Sequence, residues 1–546
     1  MRQVAVVTSV PGAVVSLVPS GGCYPRGAGY LLLLRRVRVG TVAPGGGCLS
    51  RAGRRLLPPH PGVVIFAPLV PVTPPVARHR SCRWLRCALW QPMALSQTYR
   101  RHASALLGLG LPLIGSHLAQ MALHVSDTIM LGWYSVEALA ALVLGATLFF
   151  TLFILGSGFS QAVMPMVAHA VASGNEPEVR RSARMGLWLS IVFGLAVMPV
   201  MWWSEALLVA IGQKPEVAAL AQDFLRIGGA GMIPALFVMV LKSYLAALHR
   251  TQVVLWVTIA GVVVNVAIGW VLIFGHFGAP ELGVRGAAIA SLVTQIGTAA
   301  ALLAYASRSG PIRHYNLLQR FWRSDPGALR QVWRLGWPIG LTGLAESGLF
   351  SAASVMMGWI GTRELAAHGI AMEVAALTFM VHLGLSNAAT VEAGRALGRG
   401  DGEALAEGAV TAISLSALFG VLAVVVLLTL PEQLIGLFLS DDDPGRADLI
   451  RIGSGLLAMA ALFQFFDAGQ VMALGLLRGV QDTRVPMVIA AVSYWMIGIP
   501  ASYVIGILYG NGGTGIWIGL VIGLVCASGL LMLRFWSGTA RQVRAG

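Results

Sequence analysis

Charge is what this sequence has least of. Only 11% of its 546 residues are Asp, Glu, Lys or Arg, 56% are hydrophobic, and the mean hydropathy is +0.76. A soluble domain carries about 25% charged residues, so the composition excludes a soluble globular protein and implies an all-α chain that crosses a membrane many times. Acidic residues are missing altogether from 1–92, which hold twelve Arg and no Lys. That segment supplies most of the formal net charge of +15. No stripe of basic residues interleaved with aromatics occurs in any soluble-length stretch, which argues against nucleic acid as a partner.

Cysteine is scarce too. Cys23, Cys48, Cys82 and Cys87 lie in the first 92 residues and Cys526 stands alone in an apolar run. None has metal-ligand or C-x-x-C spacing, which excludes a disulfide scaffold and a zinc site. H-E-x-x-H, D-D-x-x-D and G-x-S-x-G are also absent, which removes the usual signatures of an intramembrane protease, prenyl transferase or hydrolase. Gly156–Ser160 (GSGFS) reads instead as small-residue helix packing.

Residues 1–92 are rich in Gly, Pro, Val and Arg, and their apolar runs are short and broken by Pro. The expectation is a non-native or disordered extension, with a start at Met93 preferred over a transit peptide. From Ala103 onward, apolar runs of spanning length follow one another. Twelve helices are expected: 105–133, 136–162, 186–211, 218–247, 252–275, 284–307, 331–357, 364–392, 405–430, 449–477, 485–509 and 514–536, some of them broken at Pro112, Pro234, Pro338 or Pro500. If the core starts inside, nineteen Lys and Arg fall in inside loops and ends against five in outside loops. The positive-inside rule then puts both ends of the core in the cytoplasm, of a plasma (inner) membrane.

The chain also repeats itself. Gly110-Leu-Pro112 matches Gly336-Trp-Pro338, Met130-Leu-Gly132-Trp133 matches Met356-Met-Gly358-Trp359, and Leu139-Ala-Ala141 matches Leu365-Ala-Ala367, all at an offset of 226. Six helices per copy is an even number, so the copies share one orientation and are related by an axis along the membrane normal. The expected organisation is an N-lobe over 93–307, a basic linker over 308–330, a C-lobe over 331–536 and a tail over 537–546. Parallel repeats of this kind place a site between the lobes and permit alternating access.

Polar residues inside spans are the candidates for chemistry, because a charge at mid-membrane costs roughly 2.5–3.5 kcal/mol on insertion scales. Asp467 stands in the tenth span between Gln464 and Gln470, all three on one helix side. Glu346 follows GLTGLA in the seventh, one turn after Thr342. In the first span His117, Gln120, His124 and Asp127 form a polar stripe, the mark of a water-filled pathway. Asn265 is the single interior amide of the fifth span, and helix glue is the competing reading of it. Glu373 and His382 add polar groups to the eighth. Lys242 is expected to snorkel toward the inner surface, and no basic residue is expected at the depth of Glu346 and Asp467. Glu392 with Arg395 reads as an i,i+3 interfacial pair, and Asp441–Asp443 as a solvated turn.

At VSDTIMLGW, FGAPELGVRGAAIAS, LAESGLFSAASVMMGW, ELAAHGIAMEV and FFDAGQVMALGLLRGVQDT, the chain resembles the multidrug and toxic compound extrusion family, NorM branch. The resemblance covers 100–536. It implies two six-helix lobes in a V and a monomeric secondary transporter, without cofactor, that exports organic cations in exchange for H⁺ or Na⁺. It carries the family's N-lobe acidic and amide positions onto Asp127 and Asn265, and its C-lobe cation site, with possible Na⁺ ligation, onto Glu346 and Asp467. Three departures accompany it. A tyrosine associated with the C-lobe site is Phe463 here, and a second polar position one turn after Asn265 is Gly269. Glu373, His382 and Glu392 stand where relatives have Asn, Pro and Arg. A rival of the same superfamily is a lipid-linked oligosaccharide flippase, which needs a strongly basic cavity. Intramembrane Arg and Lys are too few for one. An intramembrane enzyme is the remaining alternative, and no motif supports it.

Overall fold

The computed structural model describes residues 82–439 and 445–539, with side chains from Gln97. The reading of residues 1–81, and the turn expected at Asp441–Asp443, lie outside the described residues. Everything described belongs to one compact unit that begins at Ser81. It is built of helices, with no strand among the described residues. Eleven helices are long and apolar enough to span a membrane, and a bent pair makes a twelfth. In a bilayer this is the expected solution, since a helix satisfies its own backbone polar groups.

We label the spans α1 (Cys82–Tyr134), α2 (Val136–Ala172), α3 (Glu176–Trp202), α4 (Pro215–Ala230 continued by Met232–Ala247), α5 (Thr251–Phe274), α6 (Val284–Arg308), α7 (Pro326–Ile360), α8 (Thr362–Arg399), α9 (Gly402–Thr429), α10 (Arg446–Gly479), α11 (Arg484–Leu508) and α12 (Gly512–Arg534). Several start on side-chain caps: Ser135 Oγ accepts from the Ala138 amide before α2, Asn175 from Glu178 before α3, and Asp325 and Asp401 likewise open α7 and α9. Of the four prolines expected to break helices, Pro112 and Pro338 lie within continuous ones. Pro234 sits just past the 47° bend of α4, and Pro500 lies between two π-helical turns of α11. Where neighbouring helices pack closely, a proline need not end a span.

The two sets of six meet through α1 and α2 on one side and α7 and α8 on the other. Their closest approaches are made by glycines. A Cβ on Gly158 of α2 would collide with the backbone of Gly336 and Gly340, and one on Gly398 of α8 with the carbonyl of His169. Gly336/Gly340 and Gly394/Gly398 are both four apart, the small-xxx-small spacing that lets helix backbones touch. GSGFS therefore does pack helices, as its composition suggested. Phe159 stacks on Trp333 beside it, 5.0 Å between ring centroids.

All these contacts fall in one half of the span length. α1 and α7 start at the same end and α2 and α8 return to it. The joined segments are 102–117, 154–169, 333–343 and 384–407. Polar and ring contacts between the two sets cluster at this end: His102–Glu407, His117–Asn387, Gln161–Arg478, His249 with Glu392 and Arg395, Arg181–Asp325, and Phe159–Trp333. The same end carries the connection from α6 to α7. That segment is pinned to α3 by Arg184, which donates to the Arg320 carbonyl at 2.9 Å, and by Trp188, which donates to that of Phe321 at 2.9 Å. We call it the basic end. Glu392 thus differs from expectation: its ion pair is with His249 of the other set, at 3.3 Å, rather than with its helix neighbour Arg395.

Candidate functional site

Two acidic pockets emerge, one in each set of six helices. In the first, Asp127 of α1 is 5% exposed. Its Oδ2 accepts a hydrogen bond from Ser291 Oγ of α6 at 3.0 Å, and the Asn265 amide of α5 donates to the same hydroxyl at 3.5 Å. Asp127 Oδ1, Asn265 Oδ1 and Thr294 Oγ1 are buried with no hydrogen-bond partner. Three helices thus converge on a carboxylate with unspent acceptors, which is costly in an apolar interior unless something cationic or donating fills the place. Gly269 is filled by packing: a Cβ there would sit 2.9 Å from Met130 Cε.

The second pocket joins α7, α10 and α11. Gln470 Nε2 donates to Glu346 Oε1 at 3.0 Å, while Asp467 Oδ2 and Gln470 Oε1 are buried without partners. Asp467 is 2% exposed and Gln470 fully buried. Tyr494, also fully buried, lies against Gln470 and interacts electrostatically with Glu346 and Asp467. It sits in the π-helical turn Val492–Gly498, a distortion that recurs at functional positions because it re-aims a side chain. Glu346 and Asp467 are likewise electrostatic partners. The donor set is all oxygen, the chemistry of a single hard cation. No cluster of three or more His, Cys, Asp or Glu suited to a metal ion exists among the described residues.

Other residues singled out in the sequence go elsewhere. The polar stripe of α1 divides among separate partners: Asp127 goes to Ser291, Gln120 accepts from Lys242 Nζ at 3.0 Å, and His117 Nε2 meets Asn387 of α8 at 3.1 Å. His124 is exposed. Lys242 corrects the snorkelling expectation. It is 6% exposed and turned inward onto α1, because an amide acceptor within the protein replaces the water that snorkelling would reach.

Gln464 is fully buried and donates to the Ala375 carbonyl of α8 at 3.1 Å, bracing α10 rather than joining the carboxylates. His382 is buried with Nδ1 2.8 Å from Ser416 Oγ of α9, and Glu373 is exposed. Phe463 packs edge-on against Trp517 and Phe350, centroids 5.7 Å apart in each case. Arg478, in the last turn of α10, donates to Gln161 Oε1 of α2 at 3.2 Å and forms no ion pair with Glu346 among the described residues.

Sequence comparison identifies two matches to the MatE family model, over residues 112–271 and 338–504. Their starts differ by the same offset as the internal repeat. The chain is 43% identical over 435 residues to the "Probable multidrug resistance protein NorM" of Rhizobium meliloti (strain 1021), covering 80% of this chain and 93% of that one. It is 42% identical over 449 residues to the protein of the same description from Agrobacterium fabrum (strain C58 / ATCC 33970), covering 82% and 97%. Among solved structures, the eukaryotic MATE transporter AtDTX14 superposes with a TM-score of 0.73 at 17% identity, over 82% of this chain and 99% of that one. An outward-facing multidrug resistance MATE family transporter of the MOP superfamily gives 0.73 at 20% identity, over 81% and 96%. At these identities the structural likeness speaks for the fold.

Proposed function

The chain belongs to the MatE family, and on that premise we propose that it is a multidrug efflux transporter that exports organic cations in exchange for inward H⁺ or Na⁺. The observation that carries this reading is the pair of buried acidic pockets. Each is held by three helices of one lobe and each keeps carboxylate oxygens without partners. A carboxylate removed from water disfavours its charge, so a proton, Na⁺ or an organic cation are alternative ways to neutralise it. Competition among them at Asp127, or at Glu346 and Asp467, makes binding of one release another. Coupled to rocking of the lobes, that competition is antiport.

With the basic end cytoplasmic, as the positive-inside rule requires, the contacts between lobes close the inner face and leave the outer face accessible. The flippase alternative is disfavoured, because Lys242 and Arg478, the basic side chains turned into the lobes, are engaged by Gln120 and Gln161.

Reconstitution into liposomes tests the reading: efflux of an ethidium-like cation is expected under an imposed pH or Na⁺ gradient. Asp467→Asn is expected to abolish gradient-driven efflux while inserting normally. Failure of the unaltered protein to respond to either gradient overturns antiport. Efflux at the unaltered rate by Asp467→Asn removes Asp467 from it.

A further inference from the structure

The chain from Arg308 to Arg334, which joins α6 to α7, carries six arginines and a single acid, Asp325. That acid is already engaged by Arg181 at 3.2 Å. The course of the segment is fixed by α3. Arg184 and Trp188 donate to the carbonyls of Arg320 and Phe321, each at 2.9 Å, and Arg180 Nη1 donates to Gln319 Oε1 at 3.0 Å. Phe321 and Trp322 lie against the Trp188 ring, with centroids 6.5 and 6.4 Å away. Backbone carbonyls are thus committed to α3, while Leu318, Arg320, Trp322 and Arg323 stay exposed. Trp322 is 80% exposed, a large apolar ring held rigidly outside any core.

The depth of this surface is also set by α3. Arg184 is the last charged residue of that helix, and 185–202 measure roughly 27 Å along the axis, close to the hydrocarbon thickness of a bilayer, about 30 Å. The apolar band therefore begins within about a turn of Trp188, and Trp322, edge-on to that ring, stands at its rim. Glu176 and Glu178 lie in the first turn of α3, on the far side of its arginines. What meets an exposed side chain at the rim is the headgroup layer, where indoles are favoured.

We propose that Leu318–Arg323, held on α3, is a docking surface for an anionic phospholipid of the membrane that the chain spans. Arg320 and Arg323 pair with the headgroup phosphate, whose geometry a guanidinium fork matches. Leu318 and Trp322 rest among the glycerol and upper acyl carbons. Charge and depth together select this occupant. The surface is basic with its one acid paired, which favours an anion, and an exposed indole at the edge of the apolar band suits a ligand that is itself half apolar. The inference needs only the spans, so antiport and lipid docking stand or fall separately.

The test titrates phosphatidylglycerol, and separately phosphatidylcholine, into the full-length protein in neutral detergent and counts bound lipid by native mass spectrometry. The parent is expected to take up phosphatidylglycerol at the lower concentration. In Arg320→Gln/Arg323→Gln its half-point is expected to rise by about 10-fold, with phosphatidylcholine unmoved. Arg320→Lys/Arg323→Lys keeps the charge and is expected to keep most of the preference. Trp322→Ala is expected to weaken uptake of both lipids. Lys214→Gln/Arg451→Gln removes equal charge from exposed positions at the opposite end and is expected to leave both half-points unmoved. Because α3 holds the segment through its carbonyls, each variant is expected to melt with the parent when lipid is absent.

A phosphatidylglycerol half-point unmoved in Arg320→Gln/Arg323→Gln overturns the proposal. An equal rise in Lys214→Gln/Arg451→Gln also overturns it, since the lipid would then be sensing net charge alone. Uptake of inorganic phosphate that is lost in the Arg320/Arg323 pair, with no preference between the two lipids, makes the surface a soluble-anion site and overturns it as well.

Discussion

Asp127 shows how a single buried carboxylate is kept ready for a cation. One oxygen is committed to Ser291 and the other is left open, so the hydroxyl orients the group without satisfying it. A hydrogen bond to a charged group is worth about 1.5–3 kcal/mol. Ser291→Ala leaves the carboxylate less compensated, so it is expected to tighten apparent affinity for the coupling ion by roughly 10-fold, measured as the half-saturating ion concentration in liposome efflux. An unaltered half-saturation would show that Ser291 only packs. Asp127, Asn265, Glu346 and Asp467 were legible in the sequence because each interrupts an apolar run at a cost that demands explanation. Ser291 and Tyr494 were not, since serine and tyrosine are tolerated throughout spans and only the meeting of α6 with α1, or of α11 with α7 and α10, gives them a role. Lys242 was misjudged for a related reason: depth counted along a helix ignores the reach of a long side chain toward a partner on another helix.

At the scale of elements, hydropathy alone located the spans, because every spanning segment must be apolar over some twenty residues. What it did not reveal is where helices lie backbone to backbone. That depends on which face of α2 turns to α7, and hence on the pairing of Gly158 with Gly336 and Gly340. These contacts hold the basic end shut without side-chain bulk, so the closed state is sensitive to a methyl group. Overpacking a tight contact costs about 1–3 kcal/mol. Ala168 is fully buried and packs on Gly394 across the lobes. Gly158→Val is accordingly expected to raise the labelling rate of a cysteine at Ala168 by about 10-fold, through a larger open population, with expression and insertion retained. Labelling equal to that of the parent would mean that α2 and α7 yield locally without moving the lobes. The bend of α4 before Pro234 has a different consequence: it brings the second half of the helix, with Lys242, against α1, a contact that no reading of separate spans contains.

The whole molecule is a repeat in its scaffold and asymmetric in its chemistry. Asp127 lies on the first helix of its lobe, and the position 226 residues later is Ala353, fully buried. Glu346 and Asp467 instead lie on the first and fourth helices of theirs. Duplication therefore explains the parallel lobes and their shared packing glycines but not the sites, which fits a transporter that must treat ion and cargo differently. If transport requires the lobes to part at the basic end, fixing them there must arrest it. Gly343 and Ile154 face each other at the mid-membrane limit of the joined region, where a Cβ on Gly343 would lie 2.9 Å from Ile154 Cγ2. Cysteines at both positions, in a chain otherwise free of cysteine, are expected to form a disulfide on oxidation, to reduce efflux to background, and to restore it with dithiothreitol. The same oxidised protein is expected still to bind cargo from the outer face, because both acidic pockets lie within single lobes and need no motion to form. Full efflux in the cross-linked protein would overturn rocking of the lobes as the transport step. Loss of cargo binding together with efflux would place the cargo site between the lobes rather than in either of them.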